Sequence, residues 1–442
     1  MRAAVLGARE HGLPLTVQST GHGTHVPADG GLLLKTGRLS GVRVDPERRT
    51  ARAGAGARWS DVIAAAAPHG LAPLSGTPAI GVAGYTLGGG AGWLSRQYGY
   101  AADALVRAEL VTAAGEPVAA DRDENPDLFW ALRGGGGNFG VVTALEFRLY
   151  PVREVYAGMT VHSVERAAAT LARYREWAPA APDELNTSII LMRRPGGPDG
   201  WALAVRGFYA GDAERGQKLL APLLEAAGPV LAGGFGAMTF GEAATAFGGP
   251  EPAPMALGQH LELLPELSEG AVEAVTGVVA TTLTAVEVRH WGGAMARPEP
   301  DAGPVGHRDV PFSVIATAVA HELPHAASNR SPAAPSRPGG ASDRPGSRPG
   351  GASDRPGAPS SRPGGTSDRP VDASTPPGGD ALRDLARILG RYATGGSFLN
   401  FLTDPARTRE AYTAADHARL SRVKKTWDPG NLLGRVHNIP PA

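Results

Sequence analysis

The chain changes its hydrophobic rhythm twice. The opening segment "RAAVLGAREHG" carries apolar residues at helical spacing and closes on Gly12, a C-terminal stop signal, with no capping side chain ahead of its first turn. From Leu13 to Pro151 the pattern shortens. "LPLTV", "GLLLKT" and "GVRVD" read as strands, "DPERR" as a turn and "TARAGAGA" as a return strand. Ser60 is placed to cap a helix over "DVIAAAAPH", ended by Gly70. "AELVTAAGEPVAA" reads as a hairpin turned at Ala-Gly, and "NPDLFWALR" as a short helix with Pro126 at its start. "VVTALEFRL" alternates, which puts Val141, Thr143, Leu145, Phe147 and Leu149 on one face. After Pro151 longer helical periods ("VERAAATLARYREWA", "DAERGQKLLAPLLEAA") separate the strand-like runs "SIILMRR" and "WALAVRGFY", which predicts a second α+β unit.

A third texture runs from 328 to 380. The unit "SRPGGASDRPG" occurs at 336–346 and 347–357, with a variant copy at 361–371. It holds no apolar residue larger than alanine, so stacked copies could not bury a face, and the segment is expected to be a disordered insertion in a surface loop. Helical pattern then returns in "ALRDLARILGRYA" and "ARTREAYTAADHARLSRVKKTW", the latter stopped at Asp428-Pro429-Gly430-Asn431. At 442 residues the chain is expected to hold two or three folding units.

Composition removes several classes of function. Formal net charge is zero, so no global field favours nucleic acid or an anionic membrane. The absence of cysteine excludes disulfides, thiolate metal sites and cysteine nucleophiles. No apolar run is long enough to span a bilayer, and the first residues carry no secretory pattern, so a cytoplasmic location is expected for the sequence as given, with a signal in a missing N-terminal segment as the alternative.

Three glycine-rich stretches fall in the first unit: "TGHGT" (20–24), "GYTLGGGAG" (84–92) and "RGGGGNFG" (133–140). Each could be a tight turn, or a place where backbone N–H groups approach a diphosphate without a Cβ in the way. None matches a Walker loop or a clean dinucleotide fingerprint. His22 and His25 lie three apart, but no third ligand follows at a useful spacing, so no metal site is expected.

These stretches, taken with "SGTPAIGVAGYTLGGGAGWLSRQYG", "ENPDLFWALRGGGGNFGVVTALEFRL" and the closing "RLSRVKKTWDPGNLLGRVHNI", resemble the berberine bridge enzyme-like FAD-linked oxidases of the vanillyl-alcohol oxidase / para-cresol methylhydroxylase superfamily. The resemblance covers nearly the whole chain except the repeat. It implies an α+β fold: a two-part FAD-binding domain (1–150, with 411–442 returning to it) and a substrate domain with an antiparallel sheet (151–327 and 381–410). It implies FAD as cofactor, with Ser19, Thr20, Gly21, His22, Gly23 and Thr24 around the diphosphate and His22 bonded covalently to the flavin. Gly76, Thr77, Gly81, Gly84, Tyr85, Leu87, Gly88, Gly89 and Gly90 would lie along the cofactor, completed by Val142 and Asn438. The family's second tether, a cysteine, has no counterpart here. Relatives also carry several tens of residues ahead of the segment matching "RAAVLGAREHG", so the first subdomain is expected to be incomplete.

The expected reaction moves hydride from a small alcohol, sugar or natural product to flavin and then to dioxygen. A flavin dehydrogenase with another acceptor, or a flavin-binding protein without activity, are the alternatives. The segment that supplies the family's base departs from the family pattern. Relatives place a tyrosine two residues before an asparagine near the C-terminus, whereas here Phe398 precedes Asn400. Glu287, Arg289, His290, His307 and Tyr392 are the substitutes considered, and Glu287 and Arg289 share one face of a strand, where they could simply pair.

Overall fold

The computed structural model describes residues 1–23, 25–194, 200–248, 257–319 and 378–442. Three sheets organise them. β1 (Leu15–Gln18) and β2 (Leu32–Lys35) pair in parallel, and the 20–24 loop lies in the connection between them. β3 (Val42–Asp45), β4 (Thr50–Gly54), β5 (Leu105–Val111), β6 (Pro117–Ala120) and β7 (Val141–Arg148) form an antiparallel sheet in the order β3-β4-β7-β5-β6. β7 is central, so Val142 and Ala144 are buried as well as Val141, Leu145 and Phe147. Two buried faces replace the single apolar face expected from alternation.

The opening helix runs Arg2–Glu10, and Gly12 at φ 61° closes it while Leu13 N–H reaches the Ala8 carbonyl at 2.8 Å. The next helix corrects an expectation. It spans Trp59–Ala66 with Arg58 at its cap, and the Asp61 carboxylate accepts the Arg58 N–H at 2.9 Å, so Ser60 lies inside the first turn. Trp59 then sits edge-on between Tyr85 and Phe147, 5.5 Å from each, which ties this helix to the sheet and to the second glycine-rich stretch.

The larger sheet holds β8 (Glu154–Ser163), β9 (Leu185–Arg193), β10 (Trp201–Tyr209), β11 (Ala232–Thr239), β12 (Leu257–Leu264), β13 (Ala285–His290) and β14 (Phe312–Val319). Their order is β11-β8-β10-β9-β13-β14-β12, every neighbouring pair antiparallel. Helices Ala167–Trp177, Ala213–Ala227, Glu269–Thr276 and Gly379–Leu389 cover one face, packing Leu171, Leu223, Val275 and Leu385 on Leu203, Val205, Val286 and Val288. The residues between those strand positions point the other way, toward the first domain. There Phe208 meets Trp93, while Leu261, Leu263 and Ile315 join Tyr100, Trp291 and Phe398.

Arg96 fastens the two units. Its guanidinium donates to the carbonyls of Leu185 (2.8 Å), Ala181 (2.9 Å) and Trp291, all in the substrate domain. Arg308 grips Asp103 with two bonds of 2.9 and 2.7 Å. Near the C-terminus the single expected helix is two: a 3-10 stretch Pro405–Ala411, then Ala414–Trp427 capped by Thr413, whose hydroxyl accepts the Asp416 N–H at 3.1 Å. The repeat expected at 328–380 lies almost wholly outside the described residues, and Gly379 and Asp380 at its end are already helical.

Candidate active site

The glycine-rich stretches converge on one another. A Cβ on Gly81 would stand 2.7 Å from Ser19 Oγ and 3.2 Å from Thr20 Cγ2, so Ser19 and Thr20 rest directly on the 76–90 segment. Tyr85 fills the fold of that segment: a Cβ on Gly76 or Gly90 would meet its ring at 2.8 or 2.5 Å. Gly84 differs from its neighbours. Val82, Ala83, Tyr85, Thr86 and Leu87 are buried, yet Gly84 is exposed and nothing lies within 4 Å of where its Cβ would be. The third stretch joins through Gly136 N–H, which donates to the Leu87 carbonyl at 2.9 Å, and Val142 belongs to the same buried core as Leu87.

Asn138 brings the C-terminus back to this place. Its amide donates to the Gly135 carbonyl (2.9 Å) and the His437 carbonyl (3.0 Å), and its oxygen accepts the Ile439 N–H (3.0 Å). Asn438 is thereby pinned on both sides. Lys424, fully buried, donates to the Asn138 carbonyl at 2.8 Å and to Asp428 at 2.7 Å; Asp428 accepts the N–H groups of Leu432 and Leu433. Neither Asn138 nor the Lys424–Asp428 pair was named from the sequence, although a lysine and an aspartate four apart at a helix end is a readable signal.

The histidines near this clasp are kept neutral. Surrounding protein atoms desolvate the His22 imidazole and lower its pKa, although the residue as a whole is exposed. His25 is lowered by desolvation and then by His22. His437 is lowered to about 4, first by burial and then by His25, and Arg435 of the same C-terminal segment donates to the carbonyls of Pro27 (2.9 Å) and Asp29 (2.5 Å). Thr24 lies outside the described residues.

The candidate catalytic residues separate. Asn400 belongs to the site: its side chain accepts the Gly90 N–H at 2.8 Å and donates to the Tyr85 carbonyl at 3.2 Å. Phe398 lies in an aromatic cluster with Tyr100 (5.9 Å) and Trp291 (5.7 Å). Glu287 faces the first domain but is not a free base. Arg289 donates to it at 2.8 and 2.6 Å and Arg206 donates to the same oxygen; although burial works against ionisation, these partners lower its pKa to about 2. Its pairing with Arg289 is the outcome that a shared strand face allowed.

His290 is corrected as a candidate, since it shares the helix-covered face with Val286 and Val288. Burial and the Arg96 charge lower its pKa to about 3, and its ring accepts from Arg96 at 2.8 Å. Tyr392 is corrected likewise: it packs on the helix layer, where its hydroxyl abuts Gly270. His307 is a loop latch. It holds φ 56°, and its Nε2–H donates to the Glu410 carbonyl at 2.7 Å.

The sequence of residues 1–121 matches the family model of an FAD binding domain. The chain is 41% identical over 155 residues to (R)-6-hydroxynicotine oxidase of Paenarthrobacter nicotinovorans, an alignment covering 34% of each chain. It is 30% identical to the uncharacterized FAD-linked oxidoreductase YgaK of Bacillus subtilis, over 69% of this chain and 70% of that one. The chain belongs to the FAD-linked oxidoreductases. Its fold is that of the berberine bridge enzyme from Eschscholzia californica, with a TM-score of 0.78 at 19% identity, covering all of this chain and 88% of the other. The chain spans 34 to 50% of the length of the first three curated relatives it matches.

The geometry of this FAD-linked oxidoreductase fits its cofactor. Ser19 Oγ and Asn438 Oδ1 are buried without a hydrogen-bond partner among the described residues, although buried polar atoms are normally paired. Ser19 lies against Gly81, Asn438 is held by Asn138 of the third glycine stretch, and Gly84 presents bare backbone on the second. Polar atoms awaiting a partner and a Cβ-free surface are what a dinucleotide's diphosphate and a flat ring require.

Proposed function

We propose that this chain is an FAD-dependent oxidase acting on a small alcohol, sugar or natural product. FAD would lie along the cradle, with Ser19, Thr20, Gly21 and Gly23 at its diphosphate and Gly76, Thr77, Gly81, Gly84, Tyr85 and Leu87 to Gly90 along its length. Val142 and Asn438 complete the site, and His22 is the covalent tether, a neutral imidazole on an exposed loop. When bound, FAD supplies the two-electron acceptor, taking hydride from the substrate and passing the electrons to dioxygen with release of hydrogen peroxide. The chain's own residues hold geometry. Asn400 fixes the Gly90 N–H and the Tyr85 carbonyl at once, Asn138 fixes Asn438, and Arg96 and Arg308 keep the substrate-domain sheet pressed on the glycine segment, which shields the reacting centre from water. The convergence of three glycine stretches around the orphaned Ser19 and Asn438 atoms carries the reading.

The test is stopped-flow reduction of the bound flavin by a panel of alcohols, sugars and amines, followed by mixing with oxygenated buffer. Peroxide formed in step with reoxidation supports an oxidase; reoxidation only by an artificial dye makes it a dehydrogenase. A second reading, a flavin-binding protein without turnover, is favoured by Phe398 and by the ion-paired Glu287, since neither can take a proton as placed. Flavin that no member of the panel reduces would select it.

A further inference from the structure

On the sheet face that meets the FAD-binding domain, Arg206 of β10 and Arg289 of β13 are both register partners of Ser188 on the strand between them. Two like charges therefore flank one hydroxyl. Glu287 is the carboxylate that answers them, and it is shared: Arg289 donates to its Oε1 through two nitrogens and Arg206 donates to the same atom, while Arg206 Nε also reaches Ser188 Oγ at 3.2 Å. Both guanidiniums lie over the Trp93 ring, at 4.6 and 5.1 Å, and Phe247 packs on that ring at 4.7 Å. Trp93 directly follows the 88–92 glycine run.

Three features separate this cluster from an internal ion pair. Its formal charge does not close: two guanidiniums and one carboxylate leave one positive charge, and an unanswered charge away from bulk water is costly. It is not sealed, since the side chains of Arg206, Arg289 and Glu287 keep 12, 10 and 18% of their exposure although they lie between two domains. Unpaired polar atoms border it as well. The Tyr85 hydroxyl and Asn186 Oδ1 are buried without partners among the described residues; Asn186 shares the strand face of Ser188 and donates toward the Gly92 carbonyl at 3.4 Å.

We propose that this seam is the substrate's recognition site and that it selects a molecule bearing a carboxylate, whose oxygens bind the remaining N–H groups of Arg206 and Arg289. The proposal rests on the flavin-oxidase reading for calling the ligand a substrate, but not for the binding itself. A cationic amine is rejected by the surplus positive charge.

The experiment is calorimetric titration of the purified full-length chain with benzoate, benzyl alcohol and benzylammonium, three probes of one size and different charge. Benzoate is expected to bind at least about tenfold more tightly than the alcohol, with no binding of benzylammonium. Arg289→Met should weaken benzoate at least about tenfold, whereas Glu287→Gln, which removes the competing carboxylate, should strengthen it about tenfold. A purely structural ion pair has no reason to gain anion affinity on losing its acid. Where Glu287→Gln does not fold, Ser188→Asp places a carboxylate between the two guanidiniums and should weaken benzoate by at least the same factor. Equal binding of the three probes, or benzoate affinity unmoved in whichever charge variant folds, overturns the proposal. Calorimetry reads the seam with or without flavin, so a chain that binds benzoate but holds no flavin would refute only the oxidase reading.

Discussion

Lys424 is the most consequential side chain outside the cradle. It is fully buried, its ammonium donates to Asp428 at 2.7 Å and to the Asn138 carbonyl at 2.8 Å, and burial lowers its pKa while Asp428 works to raise it. Replacing it by methionine keeps the length of the side chain and removes the charge. Asp428 is then left buried at 1% exposure with two backbone N–H donors and no cation. Stranding one partner of a buried pair costs about 3–5 kcal/mol, and the lost bond to Asn138 about 1 more. The change should lower the melting temperature on the order of 10 °C, read by circular dichroism. It should also expose the tethered flavin to solvent before the bulk of the fold unfolds, read as an early change in flavin fluorescence, because Asn138 is what holds Asn438. Lys424→Met/Asp428→Asn removes the stranded charge and should recover more than half of the loss. A single variant destabilised by less than about 1 kcal/mol, or a double variant no better than the single, would refute the reasoning.

His22→Ala should leave flavin dissociable by acid precipitation where the parent protein retains it in the pellet, and flavin that stays with the pellet in the variant would reassign the tether. Gly84→Val should melt like the parent in the flavin-free state but bind FAD weakly, whereas Gly92→Ala should damage the fold itself, because its Cβ would stand 2.1 Å from the Ser75 carbonyl oxygen. The pH profile follows from His290 and His437, lowered from 6.5 to about 3 and about 4. Both are neutral when folded and gain a proton more readily when unfolded. Their contribution is thus complete above pH 6.5 and is lost as pH falls through about 4 and then 3, at about 1.4 kcal/mol per pH unit for each group. Melting temperatures from pH 7 downward should show this decline, and His290→Gln should flatten it.

Much of the fold was readable because its cues are local. Gly12 ends the first helix at a positive φ, Pro126 opens another, and Ala-Gly turns the β5–β6 hairpin at Gly115, φ 82°. Ser60 misled because the capping rule looks only at side chains of the right type, whereas Asp61 reached back to the Arg58 backbone and moved the start upstream. The C-terminal helix was read as one because its residues are good helix formers throughout. Tyr412 breaks it by donating to the Gly134 carbonyl, a partner far away in sequence. The site divided in the same way. The glycine stretches announce themselves, and the spacing of Lys424 and Asp428 was legible, but Asn138 and Arg96 act through carbonyls that no spacing reveals. His290 and Tyr392 looked eligible until the sheet assigned them to the helix-covered face.

A flavin bound in the glycine cradle is read at once in the visible absorbance spectrum of the purified chain. The spectrum should show the two bands of an oxidised flavin at stoichiometric content, with the colour remaining on acid-precipitated protein and leaving it in His22→Ala. A well-folded chain that is colourless and takes up no FAD on reconstitution would contradict the bound flavin.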